Sequence, residues 1–133
     1  MSQEMMVDFP GGKRVVARYN GFAIDTDQSS DNGGNGSAPE PYDLFLASLA
    51  TCAGVYALGF CQRRDLPTSG LRVAMSWRRE ETSRRMAEIA IRVETGPDFP
   101  EKYLKPLERA ISQCSVKKTL LDPPELTVEA TRS

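Results

Sequence analysis

Alternating apolar and polar residues near the N-terminus predict a β-hairpin. The alternation runs through residues 14–19 and 22–26, and Asn20-Gly21 lies between the two runs. An Asn-Gly pair suits the type I′ turn, in which both central residues need a positive φ, so the two runs are predicted to pair as antiparallel strands. The segment 28–37 that follows is rich in Ser, Asp, Asn and Gly and is predicted to be a polar loop.

An uncharged stretch of eighteen residues, 44–61, predicts a long helix. Pro41 suits the first helical turn and the Asp43 carboxylate suits the positive end of the helix dipole, so the helix is predicted to run from Pro41 to about Arg64. Eighteen uncharged residues reach the length of a membrane span. Ser, Thr and Gly residues inside the stretch favour instead a central helix buried on all sides by protein, with no membrane.

The second half of the chain predicts a second hairpin, short helices and a last strand. Residues 71–78 and 86–94 alternate on either side of a charged turn at 79–84. Leu107, Ala110, Ile111 and Cys114 have helical spacing, which predicts an amphipathic helix with Cys114 on its buried stripe. A further short helix is predicted before Pro123-Pro124, and a final strand at 126–130. With no internal repeat or linker, the pattern predicts one domain over residues 1–133.

Composition removes several classes of function. Seventeen Lys and Arg against eighteen Asp and Glu give a net charge of −1, whereas nucleic-acid-binding proteins usually carry a basic surplus. The chain has no histidine, which excludes Ser-His-Asp and Cys-His nucleophile activation by its own residues and any metal site that needs imidazole. Three cysteines and an N-terminus without the pattern of a signal peptide predict a reduced, cytoplasmic protein.

The three cysteines are the candidate reactive groups. Cys61 follows Cys52 by nine positions, which places the two on opposite faces of the predicted helix. Cys114 is therefore the only plausible partner for Cys52 within the chain. The alternative is that all three cysteines pack as small core residues, in which case the buried thiols are inert and have raised pKa values.

Two sequence segments resemble the signatures of the OsmC/Ohr family. The first is residues 36–52, Gly-Ser-Ala-Pro-Glu-Pro-Tyr-Asp-Leu-Phe-Leu-Ala-Ser-Leu-Ala-Thr-Cys. The second is residues 114–120, Cys-Ser-Val-Lys-Lys-Thr-Leu, which is similar to the Cys-Pro-Val-x-x-Thr-Leu type of segment in that family. The order and spacing of the two motifs fit the family along nearly the whole chain.

The resemblance implies an α+β fold in which two chains intertwine as a homodimer, with their central helices packed together under the sheets. It further implies that Cys52 is the peroxidatic thiolate and Cys114 the resolving thiol, at sites on the dimer interface. Cys52 would then be oxidised by an organic hydroperoxide to a sulfenic acid that condenses with Cys114. An external dithiol would reduce the resulting disulfide, and neither a metal nor an organic cofactor would take part.

One position departs from the pattern of the peroxidase branches. There a glutamate follows the motif proline and holds an arginine that stabilises the thiolate, whereas this chain has Tyr42. Glu40 lies on the other side of Pro41 and does not match that position. Arg14 or Arg18 could supply the cation, and both could equally be ordinary strand residues.

Two functions are consistent with these residues. The first is a thiol-dependent peroxidase that reduces organic hydroperoxides through Cys52 and Cys114 in defence against oxidative stress. The second is a non-catalytic protein on the same scaffold that senses redox state or binds an apolar small molecule. A protein whose cysteines only pack would have neither function.

Overall fold

The computed structural model describes residues 3–132, which have α+β structure. The chain divides into two compact units, residues 1–47 and 48–133, and the division falls inside the central helix. The assignment of one domain to the whole chain stays a prediction.

The first unit contains a three-stranded antiparallel sheet. Its strands are β1 (Met6–Gly11), β2 (Arg14–Tyr19) and β3 (Phe22–Thr26), with β2 in the centre. Asn20 and Gly21 have φ of 53° and 82°, and Tyr19 pairs with Phe22 across them. The predicted two-residue turn between β2 and β3 is therefore confirmed. Strand β1 lacks a regular alternation and was not predicted.

The polar loop after β3 is organised around the carboxylate of Asp27, which is only 1% exposed. One carboxylate oxygen accepts the Ser37 hydroxyl at 2.6 Å and the backbone N–H groups of Ser37 and Asn35. The other accepts the N–H of Gln28 at 2.7 Å. These hydrogen bonds, led by those from Ser37, lower the pKa of Asp27 to about 2, although burial opposes the shift. The sequence predicted a polar loop but not the buried carboxylate of Asp27 that organises it.

Asp27 should therefore stabilise the fold in a defined pH range. Its folded pKa of about 2 lies below the ordinary value of 3.8, so the stabilisation is complete above that value. It is lost as the pH falls from about 4 to about 2, because the unfolded chain binds the proton first. The difference in melting temperature between the wild type and Asp27→Asn should accordingly shrink across this range. Asp31→Asn, an exposed change in the same loop, is the control, and a difference independent of pH would contradict the assignment.

The central helix α1 spans Pro41–Arg63, one residue short of the predicted end. Asp43 accepts a hydrogen bond from the backbone N–H of Glu40 at 3.0 Å, which satisfies a donor at the helix start. The chain leaves the helix through Asp65, whose φ is 53°, and the N–H of Leu66 donates to the carbonyl of Cys61.

The single chain buries α1 only in part, so cover by protein on all sides, which would include a second chain, stays a prediction. By length and composition alone the helix is apolar enough to cross a membrane, and only 33% of its most apolar window is buried. Val55 is 66% exposed and Leu58 is 41% exposed. The chain supplies cover for one face of the helix, which carries Ala53, Ala57 and Phe60, and leaves another face uncovered.

The second unit packs α1 against a β-hairpin and two short helices. The hairpin consists of β4 (Arg72–Arg79) and β5 (Met86–Glu94), in the predicted antiparallel pairing. A turn of 3-10 helix leads into α2 (Leu104–Ile111), and α3 spans Ser115–Leu121. The buried core joins residues of α1, of α2 and of the segment between β5 and α2: Ala53, Ala57, Phe60, Cys61, Phe99, Leu107 and Ile111.

The predicted final strand is wrong. Residues 123–132 form no strand in the described part of the chain, and Leu126 and Val128 are 90% and 100% exposed. Alternation describes how a strand would bury one face, but a strand also needs a neighbour for its backbone hydrogen bonds. None of β1–β5 pairs with this segment, and Pro123 and Pro124 have no N–H to donate.

Candidate functional site

Cys52 and Cys114 lie in contact, although they are 62 positions apart in the sequence. Cys52 lies in the middle of α1 and is partly buried, Cys114 is buried, and both thiols are free. The Cys114 thiol hydrogen-bonds to the Cys52 sulfur. The pairing that the resemblance implied is thus geometrically available, while the catalytic roles of the two residues stay a prediction.

Cys114 is placed by the junction between α2 and α3. It was predicted on the buried stripe of a helix, but α2 ends at Ile111 and Cys114 is the residue that precedes the first turn of α3. Its N–H donates to the carbonyl of Ile111 at 3.0 Å, and its carbonyl accepts the N–H of Lys118 at 3.0 Å. These two bonds hold the backbone of Cys114 in place.

The two thiols have opposite pKa shifts. Burial raises the pKa of Cys52, but the Cys114 thiol and the backbone N–H groups of Val116 and Ser115 donate to its sulfur, and the net pKa lies below the ordinary value. Burial raises the pKa of Cys114, and its hydrogen bond to Cys52 raises it further. The pair therefore keeps a proton on Cys114 while Cys52 is the more easily ionised sulfur.

The groups that lower the pKa of Cys52 were missed by sequence reasoning, which looked for a cation. They are backbone amides at the start of α3 together with a neighbouring thiol. The short helix predicted before Pro123-Pro124 was the available signal, because the first N–H groups of a helix have no partner inside it. The two arginine candidates lie in β2, where Arg18 pairs with Asp8 at 2.7 Å.

Tyr42 and Glu40, the two residues nearest the departure from the family pattern, have other contacts. The ring of Tyr42 lies 5.3 Å from that of Phe45. The Glu40 carboxylate accepts the side-chain amide of Asn32 at 2.8 Å and the N–H of Ser29 at 3.3 Å. The Glu40 carboxylate therefore holds the loop that precedes α1 through these two hydrogen bonds.

Cys61 belongs to the core of the second unit. It is fully buried within the cluster around Phe60 and Leu107. Burial raises its pKa, against the opposing charge of Arg64. A thiol that is buried and hard to ionise is inert, so Cys61 packs the core.

An apolar cavity of about 340 Å³ opens beside Cys114. Leu49, which precedes Cys52 by three residues on α1, lies in its wall. Most of the remaining lining is apolar side chains of β5, α2 and α3, and the polar exceptions are Glu108, Ser112 and Lys117. A cavity of this size and lining suits a small apolar molecule.

Two small antiparallel sheets, one long helix and a pair of neighbouring thiols define the class of this protein. A family model described as "OsmC-like protein" matches residues 34–129. The chain belongs to the OsmC-like family. No curated protein matches its sequence.

Solved structures share the fold at low sequence identity. A putative osmotic stress induced and detoxification response protein from Psychrobacter arcticus is 24% identical, with a TM-score of 0.74 over 90% of this chain and 88% of that one. An OsmC-like protein from Mycoplasma pneumoniae is 16% identical, with a TM-score of 0.72 over 92% and 89%. An organic hydroperoxide resistance protein, OsmC, from Legionella pneumophila is 15% identical, with a TM-score of 0.57 over 89% of each chain.

Proposed function

We propose that the protein is a thiol-dependent peroxidase that reduces organic hydroperoxides through Cys52 and Cys114 and acts in oxidative stress defence. The observation that carries the proposal is the contact between two free thiols with opposite pKa shifts. Membership of the OsmC-like family and the fold shared with a protein described as an organic hydroperoxide resistance protein support it.

The first step oxidises Cys52. Its thiolate attacks one oxygen of the hydroperoxide, the O–O bond breaks, and the alkoxide takes a proton and leaves as the alcohol. Cys52 becomes a sulfenic acid. Hydrogen bonds from the amides of Ser115 and Val116 favour the thiolate over the thiol, which raises the fraction of reactive sulfur at neutral pH.

The second step is favoured by the first. The hydrogen bond and the charge of the Cys52 thiolate both raise the pKa of Cys114. Once Cys52 is a neutral sulfenic acid, that charge is gone, and Cys114 ionises more readily. Its sulfur attacks Cys52, the sulfenic oxygen leaves as water, and a disulfide forms. A dithiol from outside the chain restores both thiols and is itself oxidised to a disulfide.

The order of these steps predicts different products in wild type and in Cys114→Ser. One equivalent of an alkyl hydroperoxide should give the wild type a Cys52–Cys114 disulfide. The variant should instead retain one extra oxygen on Cys52, in a form that a sulfenic-acid reagent captures. Intact-protein and peptide mass spectrometry distinguish the two products. A wild type that gains oxygen on Cys52 without forming the disulfide would contradict the role of Cys114.

The proposal includes a homodimer. Val55 and Leu58 in the uncharged middle of α1 are exposed in the single chain, and apolar residues placed together on one helix face are normally covered in soluble proteins. A second copy of α1 would cover them with the same face.

The proposal also includes an external dithiol as the reductant. It places the protein in the cytoplasm, where such reductants are abundant.

The cavity beside Cys114 favours a second candidate function. Its apolar lining would hold a small apolar molecule whether or not Cys52 turns over, and Tyr42 in place of the peroxidase glutamate is consistent with a binding or redox-sensing role. Native mass spectrometry of the purified protein should then find a bound ligand, with negligible consumption of hydroperoxide. A ligand-free protein that turns over would exclude this candidate.

A further inference from the structure

The apolar cavity adjoins one of the two thiols and not the other. Cys114 lies in its wall together with Lys117 and Leu120 of α3, which follow Cys114 at intervals of three residues. Among the residues that the structure describes, Cys52 does not belong to this wall, to which α1 contributes Leu49. A molecule in the cavity would therefore contact Cys114 and not Cys52.

The wall of the cavity also carries one uncompensated positive charge. The carboxylate of Glu108 pairs with Lys105 at 3.4 Å. Lys117 forms no ion pair within residues 3–132. Because Lys117 lies one helical turn beyond Cys114, its ammonium favours an anion beside that residue. A thiolate is the anion that attacks a disulfide.

We propose that this cavity binds the external reductant, as a small dithiol with an apolar body, and that its thiolate attacks the sulfur of Cys114 in the Cys52–Cys114 disulfide. The S–S bond breaks, the reductant forms a mixed disulfide with Cys114, and Cys52 leaves as a thiolate. The second thiol of the reductant then attacks the first, and the reductant closes into a cyclic disulfide. Cys114 regains a proton as that second thiol loses its own. The inference rests on the redox pair of the proposed function and names the site at which its reductant acts.

The acidities of the two thiols favour the same order of events. The pKa of Cys52 lies below its ordinary value and the pKa of Cys114 lies above it. Thiol–disulfide exchange is faster when the expelled sulfur belongs to the more acidic thiol. Attack on Cys114 expels Cys52, whereas attack on Cys52 would expel the sulfur that is harder to ionise.

The first experiment identifies the attacked sulfur in the unchanged protein. Diamide forms the disulfide, and a brief treatment with butanethiol, an apolar monothiol, stops after the first exchange. After an acid quench and removal of the thiol, N-ethylmaleimide marks the released cysteine. Peptide mass spectrometry should find the butylthio group on Cys114 and the maleimide on Cys52, in at least about tenfold excess over the reverse product. The butylthio group on Cys52 in equal or greater amount would overturn the proposal, as would a protein in which diamide forms no Cys52–Cys114 disulfide.

The second experiment tests the apolar character of the binding site with two matched dithiols. Dithiothreitol has the four-carbon chain of butane-1,4-dithiol and two additional hydroxyl groups. Compared at equal thiolate concentration, butane-1,4-dithiol should reduce the oxidised protein about tenfold faster, because an apolar wall leaves the hydroxyl groups without partners. Equal rates for the two dithiols would overturn the proposal.

Two pairs of adjacent residues in α3 provide variants with matched controls. Leu120→Trp fills the cavity and should remove the advantage of butane-1,4-dithiol, whereas Leu121→Trp, outside the wall, should keep it. Lys117→Met should slow reduction by about fivefold at low salt, whereas Lys118→Met, also outside the wall, should not. Rates that do not distinguish the wall residues from their neighbours would overturn the proposed site.

These outcomes are separable from that of the proposed function, because diamide replaces the hydroperoxide in every assay. A protein that forms the mixed disulfide on Cys114 but consumes no hydroperoxide would refute the peroxidase and keep the reductant site. An active peroxidase that takes the butylthio group on Cys52 would do the reverse.

Discussion

Cys52→Ser should lower the rate of dithiol-dependent consumption of an alkyl hydroperoxide by at least about 10³-fold, the scale on which enzymes lose rate when the nucleophile is removed. A serine hydroxyl keeps the size of the side chain but does not ionise near neutral pH. The amides of Ser115 and Val116 would then face a neutral oxygen. The thiol left where the two segments meet would be that of Cys114, which burial makes harder to ionise.

The matched control is Cys61→Ala, which also removes one thiol from α1. Cys61 lies in the core and its pKa is raised, so this variant should keep the wild-type rate with a modest loss of stability. The wild-type rate should also rise with pH through a midpoint below that of a free cysteine, because the pKa of Cys52 is lowered. Cys52→Ser with more than a tenth of the wild-type rate would refute the peroxidase.

The elements that sequence predicted well are those fixed by local pattern. These elements are the Asn20-Gly21 turn, strands β2 to β5 and the start of α1. Each depends on backbone preferences or on an alternation that extends over only a few residues. Strand β1 has Phe-Pro-Gly near its end and no regular alternation, so it was missed. The segment 126–130 alternates but finds no neighbour, which shows that pairing cannot be predicted from one strand alone.

The candidate site was predictable in its side chains and not in its electrostatics. The two cysteine motifs identified Cys52 and Cys114, and the fold brings them together. Helical spacing carried the predicted helix past Ile111 to Cys114, although the chain turns there and starts a new helix. After that turn, backbone N–H groups at the start of α3 donate to Cys52. Every residue except proline has a backbone N–H, so the identity of the side chains gives no sign of these donors.

The covering of α1 likewise depends on contacts that the local sequence does not specify. Its uncharged middle is predicted to be covered by protein on every side, and the single chain covers only one face. The proposed cover is a second copy, which no property of a single sequence position can specify. Exposed Val55 and Leu58 make this the part of the proposal that a single substitution can test most directly.

Val55→Asp should convert a dimer of about twice the chain mass of 14.7 kDa into a monomer, measured by light scattering coupled to size-exclusion chromatography. In a symmetric interface both copies carry the substitution, and burying an unpaired carboxylate costs about 3–5 kcal/mol, which weakens association by at least about 100-fold. Thr82→Asp adds the same charge in the exposed turn between β4 and β5 and should leave the dimer intact. A wild type that elutes at the mass of one chain would refute the dimer. A Val55→Asp protein that stays dimeric would move the interface away from this face of α1, because an exposed aspartate there would then cost nothing.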